Sequence, residues 1–190
     1  MTAAFSNYLE ASLSKESVRA LVELATRVEF VADEPFVIQG RPTDALFFLP
    51  DTIARYYVET ETGEFSNKHF TPGPCFVGST TALIKQIPSR INIASVETCS
   101  GSRILWAPFR ALCQSNPEVL MFYTKGLEHL FIQKEERETS FLTDSARDRY
   151  ANFLTQFPDL ENRLPQYHIA SYLGITPVSL SRIRRELKPE

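Results

Sequence analysis

The side chains whose types and spacing could do chemistry gather near the carboxy end: Thr176, Pro177, Val178, Ser181, Arg182 and Arg185. Steps of one, three and four residues put the last five on one side of an α-helix, with Thr176 at its start. An Arg addresses guanine O6 and N7 with two parallel hydrogen bonds or clamps a phosphate. A Ser or Thr hydroxyl reaches a phosphate or a base edge, and a Val suits a thymine methyl. That is the chemistry of reading DNA, with no bond made or broken. The competing reading of the same stretch is an ordinary helical hairpin with a solvated basic face.

Such a stripe needs elements that hold it proud of the surface. Residues 164–187, LPQYHIASYLGITPVSLSRIRREL, read as two short helices with Gly174 between them. The first packs through Ile169, Ala170 and Leu173, and Ala170 is small where two helices cross closely. Gly174 supplies the left-handed turn and Ile175 plugs the corner. Thr176 as N-cap with Pro177 at the first helical position is a strong start signal for the second helix, which buries Leu180, Ile183 and Leu187. This order of small, Gly and apolar positions is the spacing of a helix-turn-helix. His168, in the first of the two helices, is read as facing phosphate.

The charge supports a local nucleic-acid footprint on an otherwise acidic chain. The whole carries a formal net charge of −3, but residues 144–190 hold 7 basic and 6 acidic groups. Within 176–188, Arg182, Arg184, Arg185 and Lys188 oppose Glu186 alone. A short basic cluster of this kind marks where a polyanion would sit.

Other chemistries find little support. Cys75, Cys99 and Cys113 form an odd set without a CxxC pair, which speaks against a disulfide framework and against Cys-based zinc or iron–sulfur sites. No HxH, GxSxG, GxxxxGK[ST], GxGxxG or HExxH occurs, so no enzyme, metal or cofactor is expected. No stretch approaches the ~18 consecutive apolar residues of a membrane span, and the first residues lack the pattern of a secretory signal. A cytoplasmic protein is expected.

Along the chain, 43% hydrophobic and 23% charged residues describe a globular protein, not a disordered one. Residues 8–27 carry apolar residues at helical steps. From about 28 to 110, short β-prone runs alternate with Gly, Pro, Asp and Asn, the texture of an antiparallel sandwich or barrel. Gly63 marks a hairpin turn. The strands end at Pro108, and one helix is expected over 109–138, with Leu120, Tyr123, Leu127 and Leu130 as an apolar stripe. A helix–helix dimer seam is the favoured use of that stripe, and packing on the β-domain the alternative. Residues 139–146 read as a hinge, Thr143 or Asp144 as the cap of a helix over 146–154, and Pro158 as its end.

A β-rich domain, a long helix and a terminal helix-turn-helix together resemble the Crp/Fnr family of bacterial transcription regulators. The wording RLPQYHIASYLGITPVSLSRIRREL is similar to the branch common in Bacteroidetes. The resemblance runs from about residue 10 to 188 and implies an α+β fold: an amino-terminal double-stranded β-helix (β-roll), a dimerisation helix and a winged-helix-like head whose wing is truncated. The expected boundaries are 1–110, 111–143 and 144–190. The implied partners are double-stranded DNA with an inverted-repeat operator, a second copy of the chain, RNA polymerase and a small-molecule effector. Carried over by position, Gln166 and Thr176 contact phosphate and Arg182 reads a base.

The family's cyclic-nucleotide cassette resembles F-G-E-L followed by P-R-S-A, where the Glu accepts from the ribose and the Arg pairs the cyclic phosphate. Here the matching residues are Gly78, Ser79 and Thr80, then Ser89 and Arg90. Ser79 replaces the Glu, and Ser89 and Arg90 stand in swapped order. On an extended segment a shift of one residue turns a side chain to the opposite face. Arg90 is therefore expected to point away from the pocket, and a different small effector, or none, is expected in place of cyclic AMP. The alternative function is an effector-binding module that acts through protein contacts without reading DNA.

Overall fold

In the computed structural model, which describes residues 3–187, the chain forms two compact units. One runs through Glu64 and from Lys68 to Leu127; the other takes Phe65–Asn67 with the residues from Glu128 onward. The first unit opens with α1 (Ala3–Glu10) and α2 (Lys15–Leu24). The sequence reading placed one helix over 8–27. Two form because Ser14 starts a new one, its side chain accepting from the Ser17 N–H as an N-cap. The residues from Ala25 onward are claimed by strand pairing instead.

Eight strands follow: β1 (Ala25–Phe30), β2 (Pro35–Val37), β3 (Ala45–Leu49), β4 (Ile53–Glu59), β5 (Phe65–Pro72), β6 (Cys75–Val77), β7 (Asn92–Ser95) and β8 (Cys99–Leu105), with the short helix α3 (Thr80–Lys85) between β6 and β7. They make two four-stranded sheets, in the orders β1-β8-β3-β6 and β2-β7-β4-β5. The β1–β8, β3–β8, β3–β6, β2–β7 and β4–β7 ladders are all antiparallel. This is the β-roll.

Strand β3, ALFFL, is buried throughout because both its faces are covered. Ala45, Phe47 and Leu49 point between the sheets, where they meet Phe30, Val37, Ala54, Val77 and Ile93. Leu46 and Phe48 point the other way, onto Phe5, Leu9, Leu21 and Ile104. The side-chain period of two thus feeds two separate cores from five residues. Gly63, at φ +80°, closes the turn after β4, with its N–H donating to the Thr60 carbonyl.

After β8 the chain forms α4 (Trp106–Ser115) and α5 (Pro117–Thr143). Pro108 does not precede the helix as expected; it sits in the first turn of α4, where its missing N–H costs nothing. The single helix expected over 109–138 is also two. Asn116 precedes a proline and leaves the helical region (φ −127°, ψ 103°). Its side-chain Oδ1 then accepts from the N–H groups of Glu118 and Val119, capping α5. The Glu118 carboxylate accepts from the N–H and hydroxyl of Ser14 and from Ser17. These bonds, those of Ser14 first, hold it below the usual carboxylate range. Beyond Asn116, α5 continues for 27 residues and takes in the first part of the stretch expected as a hinge, leaving only Asp144 and Ser145 between it and the next helix. Gly126 lies in its interior, and a Cβ there would meet nothing within 4 Å. No helix among the described residues is long and apolar enough to cross a membrane.

Candidate DNA-reading interface

The second unit holds α6 (Ala146–Gln156), α7 (Leu160–Arg163), α8 (Gln166–Leu173) and α9 (Pro177–Leu187). The cap of α6 is Ser145, not Thr143 or Asp144. Its hydroxyl oxygen accepts from the Asp148 N–H, and the Asp148 side chain returns to the Ser145 N–H. This reciprocal capping box satisfies two donors at once. As expected, α6 stops just before Pro158.

The frame for α9 is aromatic and tight. Tyr150, Phe153, Phe157, Ile169, Ala170, Tyr172 and Leu173 are buried, with Leu180 and Ile183 of α9 inserted among them. The ring centroids of Phe153 and Tyr172 lie 5.7 Å apart. Leu187 is half-buried. The turn between α8 and α9 runs through Gly174 at φ +68°, ψ 34°. The Ile175 N–H donates to the Ala170 carbonyl at 3.0 Å and the Gly174 N–H to the Ser171 carbonyl at 3.2 Å. That is a Schellman motif, and it ends α8 with its last carbonyls satisfied. Two residues later Thr176 Oγ1 accepts from the Ser179 N–H at 3.1 Å and starts α9.

With one face of α9 pinned by Leu180 and Ile183, the opposite face is set. Thr176, Pro177, Val178, Ser181, Arg182 and Arg185 are all exposed, Val178 at 74%. Pro177, Val178, Ser181, Arg182 and Arg185 line one shallow open depression. Gln166 is exposed at the start of α8. His168 departs from the sequence reading. It is buried, its ring Nδ1 lies 3.1 Å from the Asn67 amide nitrogen, and that amide donates to its carbonyl at 3.0 Å. Its position on α8 falls beside Ile169 and Tyr172, on the inner side of the helix.

Sequence reasoning missed the anchor beneath α9. Arg184 Nη2 lies 2.9 Å from Glu161 Oε1, and the Tyr150 hydroxyl donates to the same oxygen at 2.6 Å. Burial, then the hydrogen bond to that carboxylate, raise the Tyr150 phenol well above its ordinary range. Of the three arginines in α9, Arg184 is thus spent on the frame while Arg182 and Arg185 face outward. An acidic residue eleven positions after an aromatic one carries no local signal, so only the folded chain brings the three groups together.

In the first unit, Ser79 and Ser89 are buried and Arg90 is exposed. The Ser89 hydroxyl lies 2.7 Å from the Ile91 carbonyl and 3.1 Å from Ser79 Oγ. The Ser89 hydroxyl is the donor in both contacts, so its one proton is shared between that carbonyl and Ser79 Oγ. Thr80 is half-buried, and a Cβ on Gly78 would meet Leu46 Cδ2 at 2.8 Å. Cys75 is buried and its thiol is pushed up to about 12 by burial, which makes it a poor nucleophile at neutral pH. Among the described residues no group of three or more His, Cys, Asp or Glu side chains is placed to hold a metal ion.

No protein-family model and no curated protein sequence matches this chain. Solved structures do. The c-di-GMP-responsive global regulator CLP of Xanthomonas campestris superposes with a TM-score of 0.74 at 14% identity, over 92% of this chain and 91% of its own. A protein assigned to the Crp/Fnr family of transcriptional regulators from Eubacterium rectale gives 0.73 at 14% identity, over 95% of this chain and 87% of its own. The fold is that of the Crp/Fnr regulators. The catabolite activator protein of Thermus thermophilus shares it at a TM-score of 0.59 and 18% identity, over 94% of this chain and 85% of its own. In Crp/Fnr terms, the β-roll, the long helix and the terminal helix-turn-helix described above account for nearly the whole chain.

Proposed function

We propose that this chain is a sequence-specific, homodimeric transcription regulator that acts in the cytoplasm, reads an inverted-repeat operator and works with RNA polymerase. Residues 1–110 serve as sensor, 111–143 as dimerisation helix and 144–190 as reading head. The observation that carries this reading is the outward stripe of α9: a capped, frame-pinned helix presenting Val178, Ser181, Arg182 and Arg185 on its free face. Gln166 and Thr176 flank the stripe as phosphate contacts, and Arg182 reads a base. The β-roll takes an effector other than cyclic AMP, since Ser79 and Ser89 stand where an acceptor carboxylate and a phosphate-pairing Arg would be needed.

Arg182→Ala tests the register. The expected loss is roughly 1–3 kcal/mol of discrimination at one base pair of each half-site, with the fold intact because Leu180 and Ile183 stay in place. Loss of a phosphate contact alone would weaken all sequences alike and lower the salt slope by about one. Affinities of wild type and variant for a selected site, its single-base variants and random DNA, at two salt concentrations, separate these outcomes. A variant as tight and as selective as wild type overturns the assignment of Arg182.

A further inference from the structure

Within the second unit, the end of α5 meets the helix-turn-helix through two arginines and a phenylalanine. The Arg137 guanidinium carbon lies 4.7 Å from the Phe141 ring centroid, and that of Arg149, from α6, lies 4.9 Å from the same ring. Arg137 also sits 3.9 Å over the Tyr172 ring. Among the described residues neither cation is held by a carboxylate; each donates to backbone carbonyl oxygen at a helix end. Arg137 Nη2 reaches the Tyr172 carbonyl at 2.8 Å, and Arg149 Nε the Leu173 carbonyl at 3.2 Å. Arg149 Nη1 reaches the Asp144 carbonyl, just past α5, at 2.7 Å. Terminal carbonyls lack intrahelical donors and carry the negative end of the helix dipole, so cations belong there. Phe141 itself lies against the turn: a Cβ on Gly174 would come within 2.9 Å of Phe141 Cε1.

The arrangement places like charges about one ring, which simple stabilisation would avoid. What it supplies is direction, because a planar guanidinium bonded to a carbonyl and stacked on a ring has little rotational freedom. We infer that Arg137, Phe141 and Arg149 are positioning residues that weld the last turns of α5 to the turn preceding α9, and so set the half-site spacing the dimer accepts. This rests on the DNA-reading function proposed above. Changing the spacing by one base pair rotates a half-site by about 35°, which a rigid weld resists and a loosened one follows.

The test uses the full-length chain and palindromes built from the selected half-site, with the spacer lengthened or shortened by one and two base pairs. Arg137→Gln and Phe141→Ala should each reduce the spacing penalty by roughly 3- to 30-fold while leaving base preference within a half-site unchanged. Arg137→Lys, which keeps the charge but not the planar fork, should behave like Arg137→Gln. A second readout needs no DNA. In both variants, backbone amides of 140–144 and 172–176 should exchange faster together, with those around Tyr150 and Ile183 still protected. Wild-type spacing penalties in both variants, or unchanged exchange in both segments, overturn the inference. If wild type prefers no DNA sequence at all, the DNA reading falls, and coupled exchange alone decides whether the weld exists.

Discussion

At the scale of single residues, burial decides what each side chain is free to do. In α9, position and burial sort three arginines into one anchor and two outward cations, although their chemistry is the same. In the β-roll, the buried Ser79–Ser89 pair is neutral and self-satisfied, each hydroxyl finding its partner inside the protein. A cyclic phosphate placed there would lose its hydration without gaining a cation. A hydrogen bond to a charged group contributes roughly 1.5–3 kcal/mol, so two such losses lower affinity by several powers of ten. Isothermal titration with cyclic AMP should therefore show no saturable heat. A micromolar dissociation constant would show that Arg90 folds back to the phosphate, and the reading of the swapped Ser-Arg order would be wrong.

At the scale of elements, what was legible in the sequence depended on whether its cause was local. The turn of the helix-turn-helix was legible because Gly174, Thr176 and Pro177 each act within a few residues. The break at Asn116 had an equally local cause, an Asn–Pro step, but an unbroken apolar periodicity masked it. His168 and Glu161 were illegible for the opposite reason, since their partners Asn67 and Arg184 are distant in sequence. The seam expected on α5 lies between these cases. Tyr123 shares the helical step of the expected stripe, yet its ring packs 5.4 Å from Phe109 in the first unit's own core. Along the middle of α5 the apolar residues left outward are Leu120 at 43% exposure and Phe131 at 66%, with the half-buried Leu127 between them and Met121 and Ile132 alongside. Spacings of seven and four are those of a two-stranded seam. Leu127→Glu or Phe131→Glu places a charge at its centre, where uncompensated burial costs several kcal/mol. Light scattering should fall from about twice the 21.6 kDa chain mass toward one chain. A monodisperse dimer in both variants would put the seam elsewhere.

At the scale of the whole molecule, one helix belongs to both compact units, and their boundary falls at Leu127 and Glu128. Gly126 stands one residue before it, in a place where a methyl group would touch nothing. A helix-interior Gly costs roughly 0.5–1 kcal/mol relative to Ala, and no close packing at this position recoups it. Gly126 also faces away from the Leu120–Leu127–Phe131 stripe, so a partner helix would not shield it. The cheapest opening of α5 is therefore where the two compact units divide, next to the exposed Lys125. A protease that cuts after lysine should find this peptide bond early, leaving a carboxy-terminal fragment that begins at Gly126. Gly126→Ala should slow that cut several-fold with no change in the protein's fold. Equal cleavage rates would mean that the joint is as firm as the rest of the helix. If the slowing is seen, the stretch of α5 shared by the two units is also a fuse: the bond most easily severed is the one whose loss parts them while leaving each half folded.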